Sequence, residues 1–354
     1  MSAQQLDQGK LEELSGKVVT DVAGAIGVLM AYIGDRSGVY SALESHGPCS
    51  AAELAEKTGL DERYLTEWLS SNAALGHVTY NAAEERFSLT PEQAAVFAHD
   101  GEPTCMQGFF DAVVGQFATH DTAVEVFQSG RGRPWGEHHA CCFCGTDRFF
   151  RPGYVANLVE NWIPALDAVE PKLQAGAKVA DIGCGLGSST MLLAETFPNS
   201  TIHGFDFHAP SIEEARTKAA DAGLTNIEFF VTDAKEIPDN GYDLACIFDA
   251  LHDMGDPVGA ARRIREVLNS DGTFMLVEPL AGDTLEENLH PLGGIYYGFS
   301  TVICVPTSKA QEVGLGLGAQ AGQKRLTEVL EQAGFSTIRR ATETPTNMVL
   351  EARA

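Results

Sequence analysis

Val179-Ala180-Asp181-Ile182-Gly183-Cys184-Gly185-Leu186-Gly187 decides the fold of this chain. An apolar run ends in an acid, three glycines follow at alternate positions, and Ser188-Ser189 opens a helical stretch. That is a strand, a tight turn and a helix N-terminus, the place where open α/β sheets bind adenosine-bearing ligands. The glycines permit backbone angles closed to other residues and let a ligand approach the main chain. The spacing departs from the dinucleotide pattern G-x-G-x-x-G, because the third glycine falls one place early and Asp181 stands two residues before the first.

Asp-x-Gly-x-Gly-x-Gly resembles the first motif of class I S-adenosylmethionine-dependent methyltransferases. The resemblance implies a Rossmann-like α/β sheet with a reversed last strand, and S-adenosylmethionine as cofactor. A pyrophosphate at this turn would be repelled by a neighbouring buried acid. The amino-acid end of S-adenosylmethionine instead offers an ammonium to Asp181 and a carboxylate to the backbone N–H groups around Gly183, Cys184, Gly185 and Gly187. The next strand, Thr201 to Asp206, ends in a carboxylate suited to a ribose diol, with Phe207 beside it. The third, Ile227 to Thr232, runs into Asp233-Ala234, the position of the family's usual adenine contact. Asp249, closing the fourth strand, completes the residues expected to bind cofactor. The bland alternative is a doubly wound sheet whose turn acids are accidental.

At 354 residues and 44% hydrophobic content, the chain has room for two soluble domains. Its 24 basic and 49 acidic residues give a net charge of -25, which repels nucleic acid and anionic lipid but not a cationic sulfonium. Met1 to Glu13 lacks the basic start of a secretory signal. Val22 to Ile33 is too short to span a bilayer. The eight cysteines are scattered apart from one cluster, as thiols in a reducing compartment would be. A cytoplasmic protein is expected, without membrane or nucleic-acid partners.

Three segments are expected: residues 1–100, helical and winged-helix; 101–170, a helical linker or lid; 171–354, the cofactor-binding domain. Leu11, Leu14, Val18, Val22, Ala25 and Leu29 recur at helical spacing in residues 1–45, an apolar face suited to another subunit. Ser50 to Glu53 is a capping box, Asp61 caps a second helix, two short β patterns follow, and Thr90-Pro91 starts another helix. This helix-turn-helix and ribbon admits DNA binding or dimerisation. Asp61, Glu62 and Glu67 beside a single Arg63, with Glu84 and Glu85 at the ribbon tip, oppose phosphate contact. The order resembles small-molecule O-methyltransferases, which place a winged-helix dimerisation domain before the catalytic one. Runs such as Arg151-Pro152-Gly153-Tyr154, Leu251 to Pro257 and Gln320-Ala321-Gly322 resemble a bacterial, notably mycobacterial, group of winged-helix class I methyltransferases. A homodimer is what that resemblance implies.

From Lys178 the βα alternation is regular, with Ser211 to Glu214 expected to cap the helix after the second strand and residues 279–322 expected to be functional or partly helical. The fourth strand runs into Leu251-His252-Asp253. A histidine titrating near pH 6.5 can take a hydroxyl's proton at neutral pH. His252-Asp253 resembles the pair of plant-type O-methyltransferases in which the histidine is the base, and Glu278 matches the glutamate that orients it. A second glutamate of those enzymes is replaced by Ala321-Gly322-Gln323, and a histidine here can also merely pack. Phe149, Phe150, Tyr154, Tyr296 and Tyr297 are candidates to line an acceptor pocket. Cys141, Cys142 and Cys144, with His138 and His139, admit zinc or a thiophilic substrate, but adjacent cysteines are poor zinc spacing and no metal is assigned. Cys184, Cys246 and Cys304 read as small core residues. The expected function is small-molecule O-methylation. Nitrogen, sulfur or a metalloid as acceptor, or a non-catalytic S-adenosylmethionine sensor, remain as alternatives.

Overall fold

The computed structural model describes residues 6–238 and 241–354. Two compact units emerge, residues 1–118 with 140–152 and residues 119–139 with 153–354.

The first unit opens with α1 (Gln8–Arg36), followed by α2 (Val39–His46), α3 (Ala51–Thr58) and α4 (Glu62–Ala74). Ser50 and Glu53 form the reciprocal box expected ahead of α3, and the Asp61 side chain accepts from the Arg63 and Tyr64 N–H groups at the start of α4. Such caps contribute about 1 kcal/mol each by satisfying otherwise orphaned donors. A wing follows, β1 (Thr79–Asn81) antiparallel to β2 (Arg86–Ser88), and a second box, Thr90 with Gln93, opens α5 (Pro91–Phe97). Tyr40, Leu43, Leu54 and Leu69 form the buried centre. There the Tyr40 hydroxyl donates to Asn72, so a large aromatic is buried with its polar end satisfied.

Residues 101–170 do not form a separate linker. They divide between the units: α6 (Gln107–Phe117) belongs to the first, α7 (His120–Ser129) to the second, and α8 (Ala140–Asn157) passes from the first to the second at Pro152. The cause is close packing within the first unit. A Cβ on Gly108 would come within 2.4 Å of the Phe149 nitrogen, so α6 and α8 touch through their backbones. Arg148, with only 16% of its side chain exposed, then binds Asp35, Asp100 and Asp111 at 3.0, 2.8 and 3.1 Å.

The expectation that no early segment reaches membrane-spanning length is also corrected. The glycines of α1 do not interrupt it, and its 29 residues are long and apolar enough to cross a membrane by length and composition. Its apolar stripe is open: Leu14, Val18 and Val22 are 59%, 51% and 58% exposed.

In the second unit, α9 (Val169–Ala175) leads into β3 (Lys178–Ile182), α10 (Ser188–Thr196), β4 (Thr201–Asp206), α11 (Ala209–Asp221), β5 (Ile227–Val231) and β6 (Tyr242–Phe248). Then come α12 (Pro257–Val267), β7 (Leu268–Pro279), α13 (Pro291–Phe299), α14 (Val305–Lys309), α15 (Gly322–Gln332), β8 (Thr337–Glu343) and β9 (Asn347–Arg353). The sheet order is β5-β4-β3-β6-β7-β9-β8, parallel except that β9 runs against both β7 and β8, as expected for the reversed last strand. Helix α11 starts before Ser211, because Pro210 favours the first turn and the Ser211 hydroxyl instead meets His208 Nδ1 at 2.7 Å. The direction of strand order reverses between β3 and β6, which sets the ligand crevice at their carboxyl ends.

Candidate active site

Three turns meet at that crevice. After β3, Gly183, Gly185 and Gly187 all adopt positive φ, and a Cβ on Gly183 would lie 2.9 Å from the Ala250 Cβ. The glycine turn is thereby pressed against the segment that carries His252. A Cβ on Gly185 would meet nothing within 4 Å, so this face of the turn is open to a ligand.

Asp181 is fully buried. One carboxylate oxygen accepts from the Ser189 and Thr190 hydroxyls, each at 2.7 Å, and Oδ1 has no partner. Burial pushes its pKa up to about 6, against the pull of the two hydroxyls. An orphaned acid oxygen at the switch point fits a cationic ligand group. Ser189 was read only as part of the helix start and Thr190 was not singled out, although their place in the first turn after the glycines was a usable signal.

Asp206 accepts from the Gly185 N–H at 3.0 Å and the His208 N–H at 2.8 Å, one bond per oxygen. Each oxygen keeps further acceptor capacity for a diol. Phe207 is 51% exposed beside it, and Cys184 is buried with its thiol in the small cluster around Ile212 and Phe229. Asp233 is exposed and caps the Lys235 N–H at 2.8 Å, while Ala234 packs on the main core. These residues fit the adenosine end of S-adenosylmethionine.

Asp249 sits at φ 51°, a left-handed conformation uncommon outside glycine. Its carboxylate accepts from Tyr154 at 3.2 Å and from the Asn347 side chain at 2.7 Å. Burial, and next the charge of Glu278, raise its pKa to about 8. Asn347 belongs to the reversed strand and carried no local signal. Tyr296 is buried, and burial followed by the charge of Asp249 raises its pKa. Tyr297 is 37% exposed, its hydroxyl 3.5 Å from the Asn288 side chain.

Phe149 and Phe150, also expected to line an acceptor pocket, lie elsewhere in the chain. Both belong to the first unit, where Phe149 stacks on Phe109 with centroids 4.9 Å apart and meets Phe150 edge-on at 5.0 Å. They pack the α6–α8 contact.

His252 is 4% exposed. Glu278 Oε2 lies on His252 Nδ1, and Glu278 Oε1 accepts the Leu251 and His252 N–H groups at 3.0 and 3.3 Å. The expected pairing of the fourth and fifth strands is therefore present. Burial pulls the His252 pKa down, but Glu278 and then Asp253 push it up further, and it ends well above the ordinary 6.5. The second ring nitrogen faces Asp253 Oδ1 at 3.3 Å. Cys304 is corrected from a plain core residue: its thiol meets both His252 and Asp253.

The cysteine cluster belongs to the first unit, and His138 and His139 to the second. Cys141 Sγ lies 3.7 Å from the Tyr32 hydroxyl in the first unit, whereas His138 is buried in the second against Thr307 at 3.3 Å.

The sheet and its crevice define the Rossmann-like methyltransferase fold. Residues 173–334 match the profile of a methyltransferase domain, and residues 24–99 that of an Rv2258c-like winged HTH domain. Residues 173–334 are thus similar to a methyltransferase domain, and they follow a segment similar to a winged-helix domain. Aklanonic acid methyltransferase DauC of Streptomyces sp. (strain C5) is 34% identical over 118 residues, 32% of this chain and 53% of that protein. The chain therefore spans about half the length of that relative. A demethylmenaquinone methyltransferase of Listeria monocytogenes is 26% identical over 180 residues, 48% of this chain and 73% of that one. Among solved structures, the mitomycin 7-O-methyltransferase MmcR shares the fold with a TM-score of 0.74 at 19% identity, covering 98% of this chain and 100% of its own. Human N-acetylserotonin methyltransferase in complex with SAM gives 0.73 at 16%, covering 100% and 99%.

Proposed function

We propose that the chain is an S-adenosylmethionine-dependent methyltransferase for a small molecule, with oxygen as the accepting atom, working as a cytoplasmic homodimer. The observation that carries the reading is Glu278 seated on His252 Nδ1 beside the glycine turn. Bound at that turn, the cofactor supplies a methyl group on a sulfonium whose departure leaves a neutral thioether. Asp181, the backbone of the turn and Asp206 hold and orient it. Such alignment contributes up to roughly 7–11 kcal/mol in well-oriented reactions. Glu278 fixes a proton on Nδ1, which leaves Nε2 as the atom that accepts a hydroxyl proton.

The O-methyltransferase neighbours MmcR and human N-acetylserotonin methyltransferase support the fold under this reading. The sequence relative in Bdellovibrio bacteriovorus carries the name of a C-methyltransferase, so product analysis must locate the methyl group. The acidic face of the winged helix supports dimerisation over DNA contact. There Arg63 is paired with Glu67, and mobility shifts at low salt should show no tight, sequence-selective retardation.

A screen of metabolite extracts with methyl-labelled cofactor would identify the acceptor. On that acceptor, His252→Ala should lower the single-turnover rate roughly 10²–10⁴-fold, the usual contribution of a general base. S-adenosylhomocysteine affinity should barely change. Full activity in the variant would remove the histidine from the mechanism and favour an acceptor that arrives already ionised.

A further inference from the structure

Behind the acceptor side of the crevice, three side chains of different chemistry converge. One donor atom each of His252, Asp253 and Cys304 lies within 4.8 Å of the other two, and His252 Nε2 stands 3.3 Å from Asp253 Oδ1. Their backbones are fixed independently of any ligand. Gly318 N–H donates to the His252 carbonyl at 3.3 Å, the Gln311 side chain to the Asp253 carbonyl at 3.0 Å, and a π-helical turn, Ser300–Cys304, delivers the cysteine. Such turns recur at functional sites because they re-aim one side chain.

The contact between His252 and Asp253 is not a satisfied hydrogen bond. The atoms are 3.3 Å apart, and the buried Asp253 Oδ1 has no hydrogen-bond partner. Glu278 meanwhile occupies Nδ1, which turns Nε2 toward the same gap. A histidine that donates one ring N–H to a carboxylate and offers the other nitrogen is the usual arrangement around a bound metal. Two light donors each about 2.0–2.1 Å from a tetrahedral zinc stand about 3.3 Å apart, which is the separation found. Nitrogen, carboxylate oxygen and thiolate together suit zinc-type ions and not magnesium or calcium. Three protein ligands with a fourth position left over define the catalytic kind of site, in which the cation also binds a reacting oxygen or sulfur.

We propose that His252, Asp253 and Cys304 bind one zinc-type divalent cation, with the methyl acceptor's hydroxyl or thiol at the fourth position. On loading, the Cys304 thiol and the His252 Nε2–H each release a proton to solvent, which leaves a thiolate and a neutral imidazole as ligands. The acceptor bound at the fourth position then loses its own proton to solvent. The cation lowers that group's pKa, and the freed lone pair remains on the oxygen or sulfur for attack. In the loaded form His252 is a ligand, and in the metal-free form it is the base described above. The proposal rests on the reading of this crevice as a methyl-transfer centre.

The test loads the full chain, stripped with a chelator, with cobalt(II) and then displaces it with zinc. One cobalt per chain should bind with a thiolate-to-metal charge-transfer band in the near ultraviolet, and one equivalent of zinc should abolish it. Cys304→Ser should lose the band, and Glu278→Gln should weaken cobalt binding roughly 10–100-fold, as loss of an outer-shell partner does. Asp253→Asn, nearly isosteric at a partly exposed side chain, should also weaken binding and guards against a Cys304→Ser protein that does not fold. No band in the wild type, or a band that survives in Cys304→Ser because Cys141, Cys142 or Cys144 supplies it, would overturn the site. Calorimetry with S-adenosylhomocysteine is run in parallel. Metal binding without nucleoside binding would sink the methyltransferase reading alone, and the reverse result would sink only the metal site.

Discussion

At the scale of single residues, burial raises the pKa values of Asp181, Asp206 and Asp249 at the crevice. Asp249 shows the consequence best, since its backbone is in a rarely used conformation and its carboxyl pKa is raised to about 8. At pH 7 about nine-tenths of it is therefore protonated in the free protein. A cationic ligand nearby stabilises the carboxylate, so binding must expel a proton, and affinity should rise with pH and level off above about 8. Calorimetry with S-adenosylmethionine in buffers of different ionisation heat would measure that release. Asp249→Asn should abolish most of it and weaken binding roughly 10-fold or more, in keeping with a lost charged hydrogen bond. Unchanged proton release in the variant would exclude Asp249 as the source. His252 carries the opposite lesson. Its pKa lies well above 6.5 because Glu278 and Asp253 outweigh burial. In metal-free enzyme the rate should accordingly rise on the alkaline side of the free imidazole's titration. Glu278→Gln removes one of those charges and should move the rise to lower pH, with a smaller loss of maximal rate than His252→Ala. A pH profile identical to wild type would show that Glu278 does not set the titration.

At the scale of elements, local signals were legible and distant ones were not. Ser50 with Glu53, Asp61, and Thr90 with Pro91 announced three helices because these start signals act within the first turn. The strand-end acids were legible because each closes an apolar run, whereas the pairing of His252 with Glu278, 26 positions apart, came only from the resemblance to plant-type O-methyltransferases. The division of residues 101–170 was not, because Arg148 takes its partner Asp35 from 113 positions away. Cys304 was likewise unreadable, since it reaches His252 through a π-helical turn that no periodicity announces. Arg148 also makes the sharpest prediction about an element. Asp111 and Asp35 are only 1% and 12% exposed, and both lose a cation if the guanidinium is removed. Arg148→Ala should destabilise the first unit by about 3–5 kcal/mol, the cost of leaving a buried pair broken. Chemical denaturation followed by tryptophan fluorescence, with Trp68 in this unit's core, would read the loss. A change below about 1 kcal/mol would mean that the acids find water instead.

At the scale of the whole molecule, the question is what covers α1. A helix of this length measures about 43 Å at 1.5 Å per residue. Its exposed Leu11, Leu14, Val18, Val22, Ile26 and Leu29 recur at intervals of three and four, so they form one continuous apolar stripe. A stripe so long exceeds what a soluble monomer ordinarily leaves bare, and a second copy laid along it would approach the roughly 800 Å² per partner of a stable interface. The net charge of -25 works against that association, because two copies repel. Salt screens the repulsion and leaves the apolar contact intact, so the dimer should tighten as ionic strength rises from about 0.01 to 0.15 M, where the Debye length falls from about 30 to 8 Å. Val18→Asp with Val22→Asp should give a folded monomer, since both side chains are more than half exposed in the single chain. Sedimentation velocity across a salt series checks both expectations. A wild-type monomer at every salt concentration, with the chain instead floating with neutral phospholipid vesicles, would assign the stripe to a membrane. A dimer that survives the double aspartate would place the interface elsewhere.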